Sequence, residues 1–275
     1  MIQFRCDRWD STDTPVLSNN EIRARAEALV GDYKPALLRR PGRVNGIHFL
    51  ESYLGATVDF QDIYYDEGEP PIAGITVFDT DRLRVFDRER LRTRLITVKA
   101  NTVLLDNATQ AEGKEGFGNF TALHEAGHLW MHPRAYRRYP AFGQNILCCR
   151  RSDPGENSIC CRKTTIGIPL PRGGRRLTPA QAREHQANVF AAYVMMPRHT
   201  FLPLAKQLIR EEGFADGILI DYEDWETDSI LDRIAKQLTE IYGVSATAAK
   251  IHLRDLNLIL NYHIYEARLR EAGLR

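Results

Sequence analysis

The sequence predicts an α+β fold in which a small, mostly antiparallel β-sheet is followed by several helices. The first observation is a set of β-rich runs, separated by polar, glycine or proline breaks, over residues 57–106. The second is a pair of strongly helical segments later in the chain, "FTALHEAGHLWMHP" and "LTPAQAREHQANVFAAYVMMP". A length of 275 residues suits one main domain with a small appendage.

Two helices are expected ahead of the sheet. The stretch "SNNEIRARAEALV", residues 18–30, has an N-cap in Ser18 or one of the two asparagines after it, and apolar residues on one face. The stretch "GIHFLESYLG", residues 46–55, predicts a short helix that ends at its final glycine. About three to five strands then follow within residues 57–106.

An aperiodic segment separates the two helical segments that come after the sheet. The first of these helices begins near Asn119 or Thr121. Residues 133–180 contain many proline, glycine and arginine residues, and we expect a long irregular insertion there. The second helix has Thr178 as its cap and Pro179 at its first position, which are favourable residues at both places.

The composition is that of an ordinary globular protein, with 43% hydrophobic and 27% charged residues. A formal net charge of +1 gives no global indication of nucleic-acid or membrane binding. The N-terminus "MIQFRCDRWD" has charges where a signal peptide needs an apolar core, and the apolar runs are shorter than the about 20 residues that span a bilayer. We expect a cytoplasmic protein with a main domain over residues 15–215 and a helical extension over residues 228–275.

Two histidines in the first helical segment have the spacing of a metal site. On a helix, His124 and His128 lie one turn apart on the same side, so both can direct a nitrogen at one ion. HExxH on a helix is a known zinc-binding arrangement, and random order would yield roughly 0.015 copies in a chain of this composition. Glu125 lies beside the pair, where a general base can reach a water on the metal. The pattern therefore predicts a zinc-dependent hydrolase.

A catalytic zinc normally has three protein ligands, so one more residue is required. His132 is one candidate, but a straight helix carries it about 80° around the axis from His124. We interpret His132 as a pocket-rim or helix-end residue. The other candidate is a carboxylate on the second helix, where Glu184 and Asn188 share a face. In thermolysin-like zincins such a glutamate is the third ligand, and a residue one turn later orients a histidine by hydrogen bonding.

These residues resemble the ImmA/IrrE-type zinc metallopeptidases. The family's FT-x-x-HE-x-GH-x-x-x-H segment matches "FTALHEAGHLWMH", and its E-x-x-A-N-x-FAA-x-x-x-MP segment matches "EHQANVFAAYVMMP". The resemblance covers roughly residues 15–260 and implies a zincin-like, small gluzincin core that binds Zn²⁺ and cleaves proteins inside the cell. It favours Glu184 over His132 as the third ligand. Family members are best known for cleaving helix-turn-helix repressors, so a DNA-binding repressor is the expected protein substrate.

Two pairs of cysteines fall inside the expected insertion. Thiolates from Cys148, Cys149, Cys160 and Cys161 can together bind a second, structural metal and hold the insertion in place. However, the usual spacing is CxxC, and adjacent cysteines point apart in an extended chain. In a reducing cytoplasm we favour thiols without a ligand.

The tail contains two helical stretches on either side of "YGVS", which resembles a helix-turn-helix. Gly243 would lie at the turn, and Val244, Ala248 and Ile251 are expected to face inward. The second helix offers few side chains that read bases, essentially Lys250, His252 and Arg254. A packing or substrate-docking role is therefore favoured, and direct nucleic-acid binding stays open as the alternative.

The strand directly before the motif helix is a candidate substrate-binding strand. In zincins an edge strand beside that helix pairs with the extended substrate backbone, and "NTVLLDN", residues 101–107, is the best candidate here. The alternative is an ordinary interior strand.

The sequence as a whole predicts a zinc-dependent endopeptidase. His124, His128 and Glu184 are the expected ligands, Glu125 the base, and Asn188 the partner that holds one histidine ring. The alternative is a regulatory protein that binds a repressor or DNA without cutting. An intact Glu125 favours the enzyme, because a pure binder has no need of a base.

Overall fold

The structure, a computed structural model, describes residues 1–136, 157–164 and 177–271. Within these ranges it is a mixed α+β protein, as the sequence predicts, and none of its helices there combines the length and apolar character needed to cross a membrane. The helices are Asn19–Tyr33 (α1), Gly46–His48 (α2, continued by a π-helix over Phe49–Tyr53), Glu115–Met131 (α3), Pro133–Tyr136 (α4), Pro179–Met195 (α5), Arg198–Glu211 (α6), Trp225–Tyr242 (α7), Ala246–Asp255 (α8) and Tyr262–Glu271 (α9). The strands are Thr57–Gln61 (β1), Ile72–Val77 (β2), Asp81–Asp87 (β3), Arg92–Val98 (β4), Thr102–Asp106 (β5), Ser158–Arg162 (β6), Leu219–Asp221 (β7) and Ile259–Asn261 (β8).

A four-stranded sheet packs against α3 within the described part of the chain. Its strand order is β1-β5-β2-β6, in which β1 and β5 run parallel and the other two pairs run antiparallel. The strands β3 and β4 form a separate hairpin. The suggestion that residues 101–107 form a substrate-binding edge is wrong, because β1 and β2 occupy the two edges of β5.

The strand β6 corrects the expectation of an irregular insertion over residues 133–180. It pairs antiparallel with β2 and places Cys161 opposite Gly74. The short stretch "SICCR" has no alternation of its own that would predict a strand, and its backbone hydrogen bonds come from a partner far away in the sequence. The short helix α4 also falls inside the segment that was expected to be irregular.

The caps of α1 and α5 follow the sequence. At α1 the Ser18 hydroxyl accepts a hydrogen bond from the backbone N–H of Glu21, and the Glu21 carboxylate accepts one from the backbone N–H of Ser18. Thr178 and Gln181 make the same reciprocal pair at α5. The helix α3 begins at Glu115, a few residues earlier than expected, because the glycines in its first turns weaken the helical pattern of the sequence.

The helices α3 and α5 lie side by side at the centre of the described structure. They approach each other closely at Gly127, where a Cβ atom would lie 3.0 Å from Phe190 Cδ1 and 3.2 Å from Ala187 Cα. A larger residue at this position would therefore push the helices apart. With β2 also in contact with α3, the motif helix is enclosed between a helix and a sheet.

The tail helices α7 and α8 contribute side chains to the same hydrophobic core as α3 and α5. The buried residues of α8 are Ala249, His252 and Leu253. Of the residues expected to face inward, Val244 is buried, whereas Ala248 and Ile251 are only partly buried. The phase of a short helix depends on the neighbours that it packs against, which the sequence does not reveal. The division into a main domain and an extension stays a prediction.

Polar side chains of α8 are also engaged within the protein. His252 is buried, Lys250 forms an ion pair with Asp232 at 2.5 Å, and Arg254 lies 3.9 Å from Asp221. The burial of His252 excludes it from the set of side chains that were considered for reading bases.

Candidate metal centre

The two histidines of the HExxH motif face each other across one turn of α3. The Nε2 atoms of His124 and His128 lie 2.9 Å apart, and neither side chain has any exposed surface. Helical geometry alone accounts for this, because residues four apart lie on the same side of a helix. The motif therefore directs two imidazole nitrogens at one buried point.

The carboxylate of Glu184 reaches the same point from α5. One of its oxygens lies 3.5 Å from His124 Nε2, and the other lies 3.3 Å from His128 Nε2. The ligand atoms of the three residues all lie within 4.8 Å of one another. Two imidazole nitrogens and a carboxylate oxygen form a donor set that is typical of catalytic zinc.

A hydrogen bond behind His124 determines which of its nitrogens faces the centre. Asn188 Oδ1 lies 2.9 Å from His124 Nδ1, and since an amide oxygen only accepts, this Nδ1 carries the proton. The neutral ring then directs the lone pair of its Nε2 at His128 and Glu184. The sequence left open which histidine Asn188 would contact, and the contact is with His124.

A chain of hydrogen bonds has the same effect on His128. Its Nδ1 lies 2.9 Å from His132 Nδ1, and His132 Nε2 lies 2.8 Å from Gln186 Oε1. Gln186 donates its own N–H to the carbonyl oxygen of Pro15 at 2.6 Å, so its Oε1 accepts from His132. His132 Nδ1 must then accept from His128 Nδ1–H. The lone pair of His128 Nε2 is thereby also directed at the centre.

His132 ends α3 as its C-cap, which agrees with the expected helix-end position, but it does not lie at the rim of a pocket. Its side chain is fully buried, and it lies behind His128. A position four residues after His128 continues the same side of the helix, and the capping position at the end of α3 leaves the ring room to turn inward. His132 positions a candidate ligand and does not reach the centre itself.

Glu125 lies between α3 and β2 with no exposed surface. Its Oε2 accepts from the Thr76 hydroxyl at 2.5 Å, whereas its Oε1 is buried without a hydrogen-bond partner. The position of Gly74 makes room for this side chain, since a Cβ atom there would lie 2.6 Å from Oε1. Burial raises the pKa of Glu125 to about 8, although His124 and the Thr76 hydrogen bond act in the opposite direction.

Burial and close contacts shift the pKa values of the other titratable groups of the centre. Burial acts to raise the pKa of Glu184, but the close contacts with His124 and His128 outweigh it and lower that pKa. Burial lowers the pKa of His128 to about 4. Burial also acts to lower the pKa of His124, but Cys161 and Glu184 outweigh it and raise that pKa well above its ordinary value.

Cys160 and Cys161 do not lie together as the expectation of a four-thiolate site requires. Cys148 and Cys149 fall outside the described residues. Cys160 is exposed, whereas Cys161 is buried and lies within 4.8 Å of ligand atoms of His124 and Glu125. The two neighbours point apart, as expected for adjacent residues on a strand. Burial raises the pKa of the Cys161 thiol to about 11, with His124 acting to lower it.

Sequence reasoning missed Gly74, Thr76 and Gln186, which shape the centre, and it assigned Cys161 to a separate structural site. Only Gln186 had a local signal, because it follows Glu184 by two positions on a helix that was already under consideration. The other three enter through the pairing of β2 with β6 and the packing of β2 on α3, which are contacts between distant parts of the chain.

Comparison with protein-family models gives a match in the second half of the chain. A family model described as Peptidase_M78, IrrE N-terminal-like domain, matches residues 167–254. This match supports the ImmA/IrrE-type family. The matched segment includes Glu184 and Asn188 and begins after the HExxH helix. The ImmA/IrrE family supports a metallopeptidase type of function, and a search of curated proteins finds no match to the chain.

Proposed function

We propose that this chain is a zinc-dependent endopeptidase of the ImmA/IrrE type, in which His124, His128 and Glu184 bind the metal and Glu125 is the general base. One observation carries the proposal. Two imidazole Nε2 atoms lie 2.9 Å apart with a carboxylate 3.3–3.5 Å from both. Neutral rings in the hydrogen-bonded tautomers would direct lone pairs at each other and at a carboxylate, an arrangement that a cation stabilises.

The residues around this point fit a zinc ion. Burying such polar groups costs several kcal/mol unless they are paired or coordinate a metal. The partners Asn188 and His132 hold both rings in the tautomer that zinc requires. When bound, zinc supplies Lewis acidity that activates water and polarises a peptide carbonyl.

In this proposal Glu125 moves the proton. It takes a proton from the attacking water and later delivers it to the amine that leaves. The hydrogen bond from Thr76 holds Oε2, so Oε1 is the oxygen that accepts the proton. A pKa raised to about 8 in the metal-free protein strengthens the carboxylate as a base.

The substrate proposed here is a specific protein, with a helix-turn-helix repressor as the first candidate from the family resemblance. The second candidate function is binding of a repressor or DNA without hydrolysis. One observation favours that alternative, because His124, Glu125 and His128 have no exposed surface, and a peptide cannot reach them without a rearrangement.

The variant Glu125→Gln separates the two functions. We expect it to keep zinc, because Glu125 is not among the proposed ligands, and to lose cleavage by roughly 10²–10⁴-fold, the usual contribution of general acid–base catalysis. The purified protein is incubated with helix-turn-helix regulators encoded beside its gene, with and without a chelator, and the products are read by mass spectrometry. Glu115→Gln, an exposed glutamate in the first turn of the same helix, is the matched control.

Full biological effect from Glu125→Gln would establish the binding function and remove the enzymatic one. A wild-type protein that binds neither zinc nor cobalt would contradict the metal site itself.

A further inference from the structure

Cys161 lies on the side of the candidate centre that a water and a substrate would need. Tetrahedral zinc has four positions, and His124, His128 and Glu184 would use three of them. A general base must face the fourth position, where the attacking water lies. The sulfur of Cys161 belongs with His124 and Glu125 in a second group of potential ligands within 4.8 Å of one another. From this place the thiol would compete with water for the fourth position of a metal held by His124, His128 and Glu184.

The register of β6 on β2 explains how this thiol reaches the centre. Cys161 lies opposite Gly74, and residues directly opposite in an antiparallel pair share a face of the sheet. That face is directed at α3, because Thr76, two residues further along β2, donates to Glu125, and the missing side chain of Gly74 leaves space for the same carboxylate. Cys160, the residue directly before Cys161, is exposed on the other face.

The end of β6 is held in this register by specific contacts. The pairing has an irregularity between Ile72 and Gly74, opposite the step from Cys161 to Arg162, and such bulges redirect side chains next to active sites. Arg162 donates to the carbonyl oxygen of Pro70 at 2.9 Å and forms an ion pair with Glu69.

The strand β6 also occupies the edge of β2 that an extended peptide would use. The other edge of β2 is paired with β5. Peptides commonly bind by adding a strand to an exposed sheet edge, and backbone hydrogen bonds supply much of their affinity. With β6 in place, His124, Glu125 and His128 have no exposed surface. One segment of the chain thus lies both at the sheet edge where a peptide would pair and beside the ligand atoms of His124 and Glu125.

We propose that β6 is an internal inhibitory strand and that Cys161 is the fourth ligand of the metal, so that this structure represents a latent form of the peptidase. The inference rests on the proposed function, because it needs a metal held by His124, His128 and Glu184. The metal–sulfur bond forms as the thiol releases its proton to solvent. Hydrolysis then requires the sulfur to leave the metal, which opens the fourth position to water.

The ligand is tested by cobalt substitution, which does not depend on a substrate. We expect the Co²⁺-loaded wild type to show the near-ultraviolet thiolate-to-cobalt charge-transfer band. Cys161→Ser and Cys161→Ala should lose this band and keep the visible cobalt absorption of a tetrahedral site, with metal affinity lower by about 10-fold or more. Cys160→Ser is the matched control and should keep the band. Circular dichroism shows whether each variant is folded.

Latency is tested with the same variants in the regulator-cleavage assay. We expect Cys161→Ser and Cys161→Ala to cleave at least about 10-fold faster than the wild type, because water gains the fourth position. Cys160→Ser should cleave at the wild-type rate.

The outcomes distinguish this inference from the proposed function. Cobalt bound to the wild type without the charge-transfer band, a band that persists in both Cys161 variants, or cleavage no faster in those variants than in Cys160→Ser would each overturn the inhibitory role and leave the metal site standing. A wild type that binds no cobalt would overturn the proposed function and this inference with it.

Discussion

The helix pairs α3–α5 and α7–α8 share one hydrophobic core, but they bury different kinds of side chain. The buried face of α7 is an ordinary apolar stripe at helical spacing, with Leu231, Ile234 and Leu238 among its members. The helix α3 is buried on almost every side and includes His124 and Glu125 among residues that have no exposed surface.

This difference in buried side chains indicates which helix pair has a role beyond stabilising the fold. The stripe of α7 stabilises the fold by removing apolar surface from water, at about 25 cal/mol per Å². Buried imidazoles and carboxylates at α3–α5 act against stability unless a partner compensates them. Polar groups whose burial disfavours folding, and whose ligand atoms point at one place, are typical of a functional site.

The largest expected effect comes from Glu184→Gln on α5. A neutral amide is a poor zinc ligand, so we expect zinc affinity to fall by more than the roughly 100-fold that loss of an outer-sphere partner can cause. Metal content after dialysis against a zinc buffer, read by elemental analysis, measures the change. Ile234→Ala on α7 is the contrasting control: it should cost about 2–5 kcal/mol of unfolding free energy and leave zinc affinity unchanged. Equal zinc affinity in both variants would remove the distinction between the two helix pairs.

A smaller effect is expected from Asn188→Ala, which leaves all proposed ligands in place. Loss of the hydrogen bond to His124 Nδ1 releases the ring from its tautomer, and we expect zinc affinity to fall by roughly 10–100-fold. Competition with a fluorescent zinc chelator gives the affinity. Asn188→Asp, which still accepts this hydrogen bond, should recover most of the loss. If Asn188→Ala binds zinc as tightly as the wild type, the proposed orienting role is wrong.

The smallest effect concerns the one buried histidine of α8. His252 donates Nε2–H to the carbonyl oxygen of Met196 at 3.0 Å, and burial lowers its pKa to about 4. Above pH 6.5 the residue is neutral in both the folded and the unfolded protein. As the pH falls from 6.5 toward 4, the unfolded chain takes up a proton that the folded chain refuses, so stability is lost over this window.

We therefore expect the wild type to lose more unfolding free energy than His252→Gln as the pH falls through this window. The difference between the two proteins should change by about 1 kcal/mol per pH unit. Urea unfolding at pH 6.5 and pH 5.5, with a chelator in every sample, measures this difference without a contribution from metal binding. Parallel pH profiles for the two proteins would show that His252 does not titrate as its burial indicates.

The sequence predicted much of the fold where local interactions decide it. The caps at Ser18 and Thr178 depend on contacts within one helical turn, and both are present. The strand β6 was not predicted, since a five-residue strand gains its hydrogen bonds from a partner that lies about eighty positions earlier in the chain.

The contacts of the candidate site also separate into those that local sequence determined and those that tertiary packing decided. The approach of His124 to His128 follows from the rise and twist of one helix, so the sequence by itself determined it. The sequence also indicated Glu184 by pattern, but only the packing of α5 on α3 brought its carboxylate to both rings. The same periodicity places His132 behind His128, whereas only tertiary structure brought Cys161 close to Glu125. Backbone periodicity fixes contacts between residues a few positions apart, whereas contacts between distant segments depend on how whole elements pack, and that is decided only when the core forms.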